Sequence, residues 1–178
     1  MVRIYRIPIR EKSDAQRAMR KILALELKIP LSSLDIRYGC WGKPLHEGIH
    51  FSLSHSYRMA LFAVDDSQPV GIDLEWLRPM PNFQKLAQRF FWGPEKICCD
   101  EAEFFRIWTA KEALCKVNGE PILGSLKQPV SWSRVVPIHC AKGYVAHLAF
   151  QTQTRSLEPN HVFDFSIELA EFESCDRS

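Results

Sequence analysis

The segment from Glu101 to Lys116 constrains the fold of this chain more than any other stretch. It is the clearest helix in the sequence, and Asn118-Gly119 follows where a helix C-cap is expected. A helix this rich in apolar residues is largely buried in a folded protein, so other elements are expected to cover it. The apolar residues are Phe104, Phe105, Ile107, Trp108, Ala113 and Leu114.

Short strands and further helices are predicted on both sides of this helix. A capping box at Ser13-Asp14-Ala15-Gln16 predicts a helix that closes at Pro30, with an apolar stripe of Ala15, Met19, Ile22 and Leu23. Strands are predicted at 50–54, 59–64, 70–75, 130–133, 144–151 and 162–171, with a turn at 65–69 and helices at 83–91 and from Pro94. These elements predict an α+β fold whose strands are mostly antiparallel.

Length and composition limit the class of protein. The 178 residues suit one domain or two small halves, and Pro79-Met80-Pro81 is the best boundary, between 1–78 and 79–178. No apolar run approaches the roughly 18 residues of a membrane span, and the first residues do not resemble a signal peptide. A cytoplasmic protein without a membrane partner is therefore expected. The net charge of +2 does not argue for nucleic acid, although a local basic patch suits an acidic partner.

The six cysteines show neither a CxxC pair nor the spacing of a zinc site. In a cytosolic chain they are expected to be free thiols that act as small core residues. They are Cys40, Cys98, Cys99, Cys115, Cys140 and Cys175.

Two carboxylates mark the strand predicted at 70–75. Side chains alternate along a strand, so Asp73 and Glu75 share one face, roughly 7 Å apart, while Ile72 and Leu74 point into the core. The two carboxylates repel each other, and a nearby cation such as Mg²⁺, which prefers oxygen ligands, relieves that repulsion. A solvated edge with a chance acidic pair is the alternative, and the strand alone does not decide between them.

Trp108, Glu112 and Lys116 stack on one face of the helix at 101–116, because each lies four residues after the last. Glu112 and Lys116 are an i,i+4 pair in the favourable order. A surface ion pair contributing about 0.3–0.5 kcal/mol is the simplest interpretation. The apolar content of the helix argues instead for a charged pair that has a buried partner.

A third group surrounds the strand predicted at 50–54. Lys43 lies in the Gly42-Lys43-Pro44 loop, where it is placed to meet an anion. Ser54, His55 and Ser56 cluster at the strand end, where hydrogen-bond donors can converge on a phosphate. A turn histidine bonded to backbone is the alternative for His55. A Ser54–His55 hydrolase is disfavoured, since neighbouring strand residues face opposite sides and no G-x-S-x-G elbow is present.

In this order along the chain, the motifs resemble those of the surfactin-synthetase-activating class of phosphopantetheinyl transferases. The resemblance spans about residues 14 to 119. The matching stretches are Asp14-Ala15-Gln16-Arg17, Gly42-Lys43-Pro44, Phe51 to Ser56, Gly71 to Glu75, Phe90-Phe91, Glu95, and Trp108 to Ala113 with Lys116.

The resemblance implies two similar α+β halves related by a pseudo-two-fold axis, with coenzyme A in the cleft between them. Asp73, Glu75 and Glu112 would hold Mg²⁺, with Mn²⁺ as the alternative metal. Lys116 would reach the pyrophosphate. The other implied contacts to coenzyme A come from Arg17, Lys43, Pro44, Ser54, His55, Asp73 and Lys111.

The implied reaction moves phosphopantetheine from coenzyme A to a serine of an apo acyl or peptidyl carrier protein, with 3′,5′-ADP leaving. Phosphoryl transfer depends on positioning and on neutralising charge, so Glu112 as the base and Lys116 as a cation are the expected catalytic residues. A monomer is expected, because the two halves form an internal pseudo-dimer.

Two features set limits on this interpretation. The family usually has Asn where Ser52 stands, and this chain starts later than longer members, whose basic residues there hold the 3′-phosphate. Arg3, Arg6, Arg10 or Lys12 are the candidate substitutes. The alternatives are a non-catalytic module that binds coenzyme A or a carrier, and a different Mg²⁺ phosphoryl-transfer enzyme or nuclease. The last is disfavoured by the lack of a Walker loop and of a basic nucleic-acid face.

Overall fold

The computed structural model describes residues 1–152 and 162–165, which form strands, helices and short 3₁₀ turns. The strands are β1 (Arg3–Pro8), β2 (Arg37–Tyr38), β3 (Pro44–Leu45), β4 (His50–Ser56), β5 (Met59–Asp65), β6 (Val70–Trp76), β7 (Val135–Pro137), β8 (Tyr144–Phe150) and β9 (Val162–Asp164). The helices are α1 (Lys12–Leu27), α2 (Phe83–Phe90), α3 (Glu101–Asn118) and α4 (Ile122–Ser125). The 3₁₀ turns are Leu31–Ser33, Gly93–Lys96 and Trp132–Arg134.

Two sheets and two long helices make the layers of the fold. One sheet has the order β4-β5-β1-β9 and the other β6-β8-β7, while β2 and β3 form a separate two-stranded ribbon. The pairings are antiparallel except β1 with β9, which is parallel. The expected α+β class with mostly antiparallel strands is confirmed.

Each sheet is covered by one long helix, and the two sheets pack on each other. The apolar stripe of α1, including Ala15, Met19, Ile22 and Leu23, packs on one face of the first sheet. Residues of α3, such as Phe105 and Ala113, pack on the second sheet. Ile72 and Leu74 of β6 lie in a third cluster that joins the opposite faces of the sheets.

The helix α3 confirms the strongest sequence expectation. Gly119 caps it with a left-handed φ of 67°, as the Asn118-Gly119 ending predicts. At its other end, the carboxylate of Asp100 accepts from the backbone N–H of Glu103 at 2.8 Å. Its middle lies so close to β6 that a Cβ added to Gly71 would stand 2.0 Å from the Ala113 carbonyl oxygen.

Other elements differ from the sequence expectation. The predicted strand at 130–133 is wrong, because the Val130 N–H donates to the Glu95 carboxylate at 2.7 Å instead of joining a sheet. The strand begins only at Val135. The α1 cap is Glu11 and not Ser13, because the Asp14 carboxylate turns back to accept from the Glu11 N–H at 3.1 Å.

The strands predicted at 50–54, 59–64, 70–75 and 144–151 are confirmed to within two residues, and so is the turn at 65–69. Of the strand predicted at 162–171, Val162–Asp164 is seen as β9, and the remainder beyond 165 lies outside the described residues. The pseudo-two-fold relation and the 78/79 boundary stay predictions. Strand pairing crosses that boundary, since β6 pairs with β8 and β9 with β1.

Within the described part of the chain, no helix has the length and apolar character of a membrane span. The five cysteines of this part are free thiols, as expected; Cys98, Cys115 and Cys140 are buried, whereas Cys40 and Cys99 are exposed. Cys175 lies outside it.

We predict that Gly71→Ala destabilises the protein, because the new methyl group would collide with the α3 backbone. Overpacking of a core costs about 1–3 kcal/mol, and chemical denaturation should show a loss of at least that size. Gly124→Ala is the matched control, because a Cβ there meets nothing within 4 Å. Equal stability of the two variants would contradict the close packing of α3 on β6.

Candidate active site

The acidic strand β6 is joined to β4 by three alternate serines, Ser52, Ser54 and Ser56, which we call the serine row. The two strands share no backbone pairing. Each hydroxyl instead accepts from an alternate backbone N–H of β6, at 3.1 Å for Ile72, 3.2 Å for Leu74 and 3.0 Å for Trp76. An N–H that is buried without an acceptor is costly, so the serines satisfy the edge of β6.

Two members of the serine row also donate to carboxylates. Ser54 donates to Oδ1 of Asp73 at 2.8 Å, and Ser56 donates to Oε2 of Glu75 at 2.9 Å. Two residues earlier on each strand, the equivalent partner of Ser52 is Gly71, which has no side chain.

Asp73 is buried and forms an ion pair with Lys116. The Lys116 ammonium lies 2.6 Å from Oδ1 of Asp73 and donates to the Ile72 carbonyl at 3.1 Å. Burial raises the pKa of Asp73 above its ordinary value, while Lys116 and Ser54 oppose that rise. The buried partner expected for the charged face of α3 is therefore this aspartate on β6.

Glu75 is paired in the same way as Asp73, with one serine and one cation on a single carboxylate oxygen. The cation is Arg78, which the sequence did not single out. Arg78 Nη1 lies 2.9 Å from the same Oε2 that accepts from Ser56. The guanidinium also lies 5.1 Å from the centre of the Phe105 ring. The i,i+3 spacing of Glu75 and Arg78 is a weak signal in a sequence, because here it spans a strand end and not a helix.

Glu112, on α3, is an acidic residue whose pKa lies near neutral pH. Burial, with the nearby charges of Asp73 and Glu75, raises the pKa of Glu112 to about 7, against the opposing effect of Lys116 and a Trp108 hydrogen bond. A carboxyl group with this pKa can take up or release a proton near neutral pH.

A cleft of about 350 Å³ is connected to the acidic residues through Lys116, while Asp73, Glu75 and Glu112 are not among the residues that line it. Its lysines are Lys12, Lys43 and Lys116, and Lys116 belongs both to the cleft and to the ion pair with Asp73. His55 lines the cleft beside them. Burial and the charges of Lys12 and Lys116 lower the pKa of His55. The remaining residues of the cleft are Gln16, Met19, Tyr38, Trp41, Gly42, Pro44, Phe51, Ser52, Leu53, Gly119 and Glu120.

Lys43 closes the end of α3 in addition to lining the cleft. Its ammonium donates to the carbonyls of Lys116 and Val117, at 2.5 and 2.7 Å. A cation is favourable at this end of a helix, where the last carbonyls lack partners. Its stem packs on Gly119, where an added Cβ would stand 3.2 Å from Lys43 Cδ. The residue predicted to meet a ligand anion thus holds the cleft wall together.

Lys111, which the sequence analysis expects to contact coenzyme A, has its partners inside the fold, and its role toward the ligand stays a prediction. Its side chain is 1 % exposed, and its ammonium lies 2.6 Å from Oε2 of Glu95 and also contacts the Gln128 carbonyl. A charge buried this deeply needs a partner of opposite sign, and Glu95 supplies it. The pair joins α3 to the turn after α2.

Arg17 and Ser54 are not among the residues that line the cleft. Arg17 pairs with Asp14 on the same helix, and the cleft is reached from α1 by Lys12 and Gln16 instead. Of the four basic residues considered for the 3′-phosphate, Arg3 pairs with Glu26 and Asp66, and Arg6 pairs with Asp164. Lys12 lines the cleft, whereas the other candidate, Arg10, is not among its lining residues.

His147 is a buried residue that the sequence analysis did not single out. It is paired across the sheet with Asp73, and its Nδ1 lies 2.7 Å from Oγ1 of Thr109. Because that hydroxyl donates its own proton to the Phe105 carbonyl, it accepts from Nδ1 of a neutral imidazole. Burial lowers the pKa of His147 to about 4.

The predicted metal ligands Asp73, Glu75 and Glu112 are electrostatically coupled, but their role stays a prediction. Among the residues that the structure describes, no three His, Cys, Asp or Glu side chains are placed to hold a metal ion together. The donors themselves fit Mg²⁺, which prefers oxygen. Burial and, after it, the repulsion from Asp73 and Glu75 raise the pKa of Glu112, and a divalent cation would relieve that repulsion.

The sequence of this chain is similar to that of a known protein family. Residues 69–166 match the family described as the 4′-phosphopantetheinyl transferase superfamily. This match contains β6 and α3, and so all three acidic residues and Lys116.

Three curated relatives carry names of the same kind. The chain is 38 % identical to the 4′-phosphopantetheinyl transferase HetI of Nostoc over 58 % of its own length and 49 % of the relative. It is 32 % identical to Sfp of Bacillus subtilis over 61 % and 54 %, and 36 % identical to AcpT of Escherichia coli over 70 % and 64 %. The alignments thus span between about half and two thirds of the length of these relatives.

We predict that Lys111→Met destabilises the protein by about 3–5 kcal/mol, because it leaves the Glu95 carboxylate buried without its cation. Denaturant unfolding measures the loss. In the double variant Lys111→Met/Glu95→Gln the uncompensated charge is gone, and most of the stability should return. A Lys111→Met variant that is as stable as the parent would contradict the structural role.

We predict a loss of stability between pH 6.5 and 4 that depends on His147. The unfolded imidazole takes up a proton below pH 6.5 while the folded one resists until about pH 4. Stability is therefore full above pH 6.5 and falls as the pH drops, by about 3 kcal/mol for this group. A proton NMR titration of the ring should give a midpoint near 4, and His147→Gln should show a shallower loss. A midpoint near the ordinary 6.5 would contradict the burial.

Proposed function

Because the chain belongs to the 4′-phosphopantetheinyl transferase superfamily, we propose that it transfers phosphopantetheine from coenzyme A to a serine of an apo acyl or peptidyl carrier protein. The observation that carries this proposal is the position of Lys116. Its side chain lines a cleft with several cations, and its ammonium contacts β6, the strand that carries two carboxylates. A polyanionic substrate and an acid-rich reaction centre meet at that residue.

Within the superfamily, we assign the chain to the surfactin-synthetase-activating, pseudo-dimeric class. The proposed halves are residues 1–78 and 79–178, working as a monomer. The two sheets, each covered by one long helix, support this assignment.

The cleft suits the nucleotide end of coenzyme A. Lys12 and Lys116 provide cations for its phosphate groups, His55 provides a ring N–H donor, and Tyr38 and Trp41 provide aromatic surface. Pro44 lies in the same wall. Lys43 is proposed to act there mainly through its contacts with the end of α3, since its ammonium already has two carbonyl partners.

The chemistry needs a base and neutralisation of charge. The hydroxyl of the carrier serine gives its proton to Glu112, whose pKa of about 7 suits that task. The serine oxygen forms a bond to the phosphorus that bears pantetheine, and the bond to the departing phosphate oxygen breaks. Lys116 stabilises the negative charge that 3′,5′-ADP carries away.

Asp73, Glu75 and Glu112 are the residues that would hold Mg²⁺, or Mn²⁺ in its place. When bound, such an ion would offset the negative charge on the phosphate oxygens. Glu112 would be shared between the ion and the proton, so its two proposed roles compete.

We predict that the protein, given coenzyme A, Mg²⁺ and an apo carrier, adds one phosphopantetheine to the carrier, as measured by mass spectrometry. Asp73→Asn and Glu112→Gln should each lower turnover by about 10²-fold or more, because each removes a charge or a proton acceptor from the reaction centre. Asp35→Asn, an exposed acidic residue far from β6 in sequence, is the control.

Several acyl and peptidyl carriers should be tried, together with thermal melting of each variant. Tight binding of coenzyme A without transfer to any carrier would favour the non-catalytic module. Full activity of either acidic variant would show that the assigned residue has no essential role.

A further inference from the structure

The serine row has a feature that packing alone does not require. Each of the two carboxylates on β6 is bonded through only one of its oxygens. Ser54 and Lys116 both reach Oδ1 of Asp73, and Ser56 and Arg78 both reach Oε2 of Glu75. Within the described residues, no hydrogen bond reaches Oδ2 of Asp73 or Oε1 of Glu75.

A carboxylate left to itself can rotate and offer either oxygen to a cation. Here one serine hydroxyl and one cation hold the same oxygen, so the rotation of each side chain is restricted. The hydroxyl is itself held, because it accepts from the backbone N–H of Leu74 or Trp76. Backbone, hydroxyl and carboxylate therefore form one connected series on a rigid strand.

From this arrangement we propose that Ser54 and Ser56 are positioning residues that orient Asp73 and Glu75, so that Oδ2 and Oε1 remain free to bind a divalent cation. The proposal rests on the proposed function for the identity of the metal ligands. Groups that orient ligating carboxylates commonly change metal affinity by about 10–100-fold when they are removed.

Ser52 provides an internal control for this proposal. It makes the same bond to a β6 backbone N–H as the other two serines, at 3.1 Å from the Ile72 nitrogen. Its equivalent on β6 is Gly71, so its hydroxyl has no carboxylate to orient. A purely structural role would make all three serines alike, whereas positioning requires Ser52 to differ from Ser54 and Ser56.

The test compares Ser52→Ala, Ser54→Ala and Ser56→Ala by titration of the protein alone with Mn²⁺, followed by electron paramagnetic resonance of the free ion. Coenzyme A is left out because Ser52 lines the cleft proposed to bind it. Each variant loses one acceptor for a backbone N–H, so similar decreases in melting temperature are expected. Mn²⁺ binding should weaken about 10-fold or more in Ser54→Ala and Ser56→Ala and stay near the parent value in Ser52→Ala. Ser54→Thr, which keeps a hydroxyl, should recover most of the affinity.

Equal weakening in all three alanine variants, or no weakening in any, would overturn the proposal. If the parent protein binds no Mn²⁺ and yet modifies a carrier, the positioning role is wrong and the transferase function stands. If the Mn²⁺ pattern appears as expected but no carrier is modified, the positioning role is supported and the proposed function is wrong.

Discussion

The contact between β4 and β6 through the serine row is the constraint on which the site depends. The edge of β6 has backbone N–H groups that find no partner strand, and three serine hydroxyls satisfy them. Two of these hydroxyls, those of Ser54 and Ser56, also hold the carboxylates of Asp73 and Glu75. Because one group meets both needs, the site cannot shift relative to the junction between the two sheets.

Charge balance around this junction is set by pairs that differ in burial. Asp73 is buried, and losing Lys116 would leave a carboxylate without a cation in a poorly solvated place, which is strongly destabilising. Glu112 has less compensation, and its pKa rises to about 7. The protein thus pairs one acidic group directly with a lysine and leaves another able to exchange a proton near neutral pH.

Two lysines of the same helix differ in burial and in the partners that they contact. Lys111 and Lys116 lie on the same helix, yet Lys111 is buried with Glu95 while Lys116 lies at the cleft. Their separation of five residues places them on different faces of α3. The face that meets β6 carries the site, and the face that meets the turn at Gly93–Lys96 carries a structural ion pair.

The sequence by itself determined α3, its glycine cap, most strands and the acidic residues of β6, because these follow from local periodicity and from short-range motifs. Only the tertiary structure decided which groups become partners. The Val130 N–H donates to the Glu95 carboxylate and not to a neighbouring strand, and the Lys43 ammonium donates to the carbonyls at the end of α3. Ser54 donates to Asp73, which lies 19 residues further along the chain. Such pairings depend on how distant elements pack, and the free energy of each bond depends on a burial that no local pattern records.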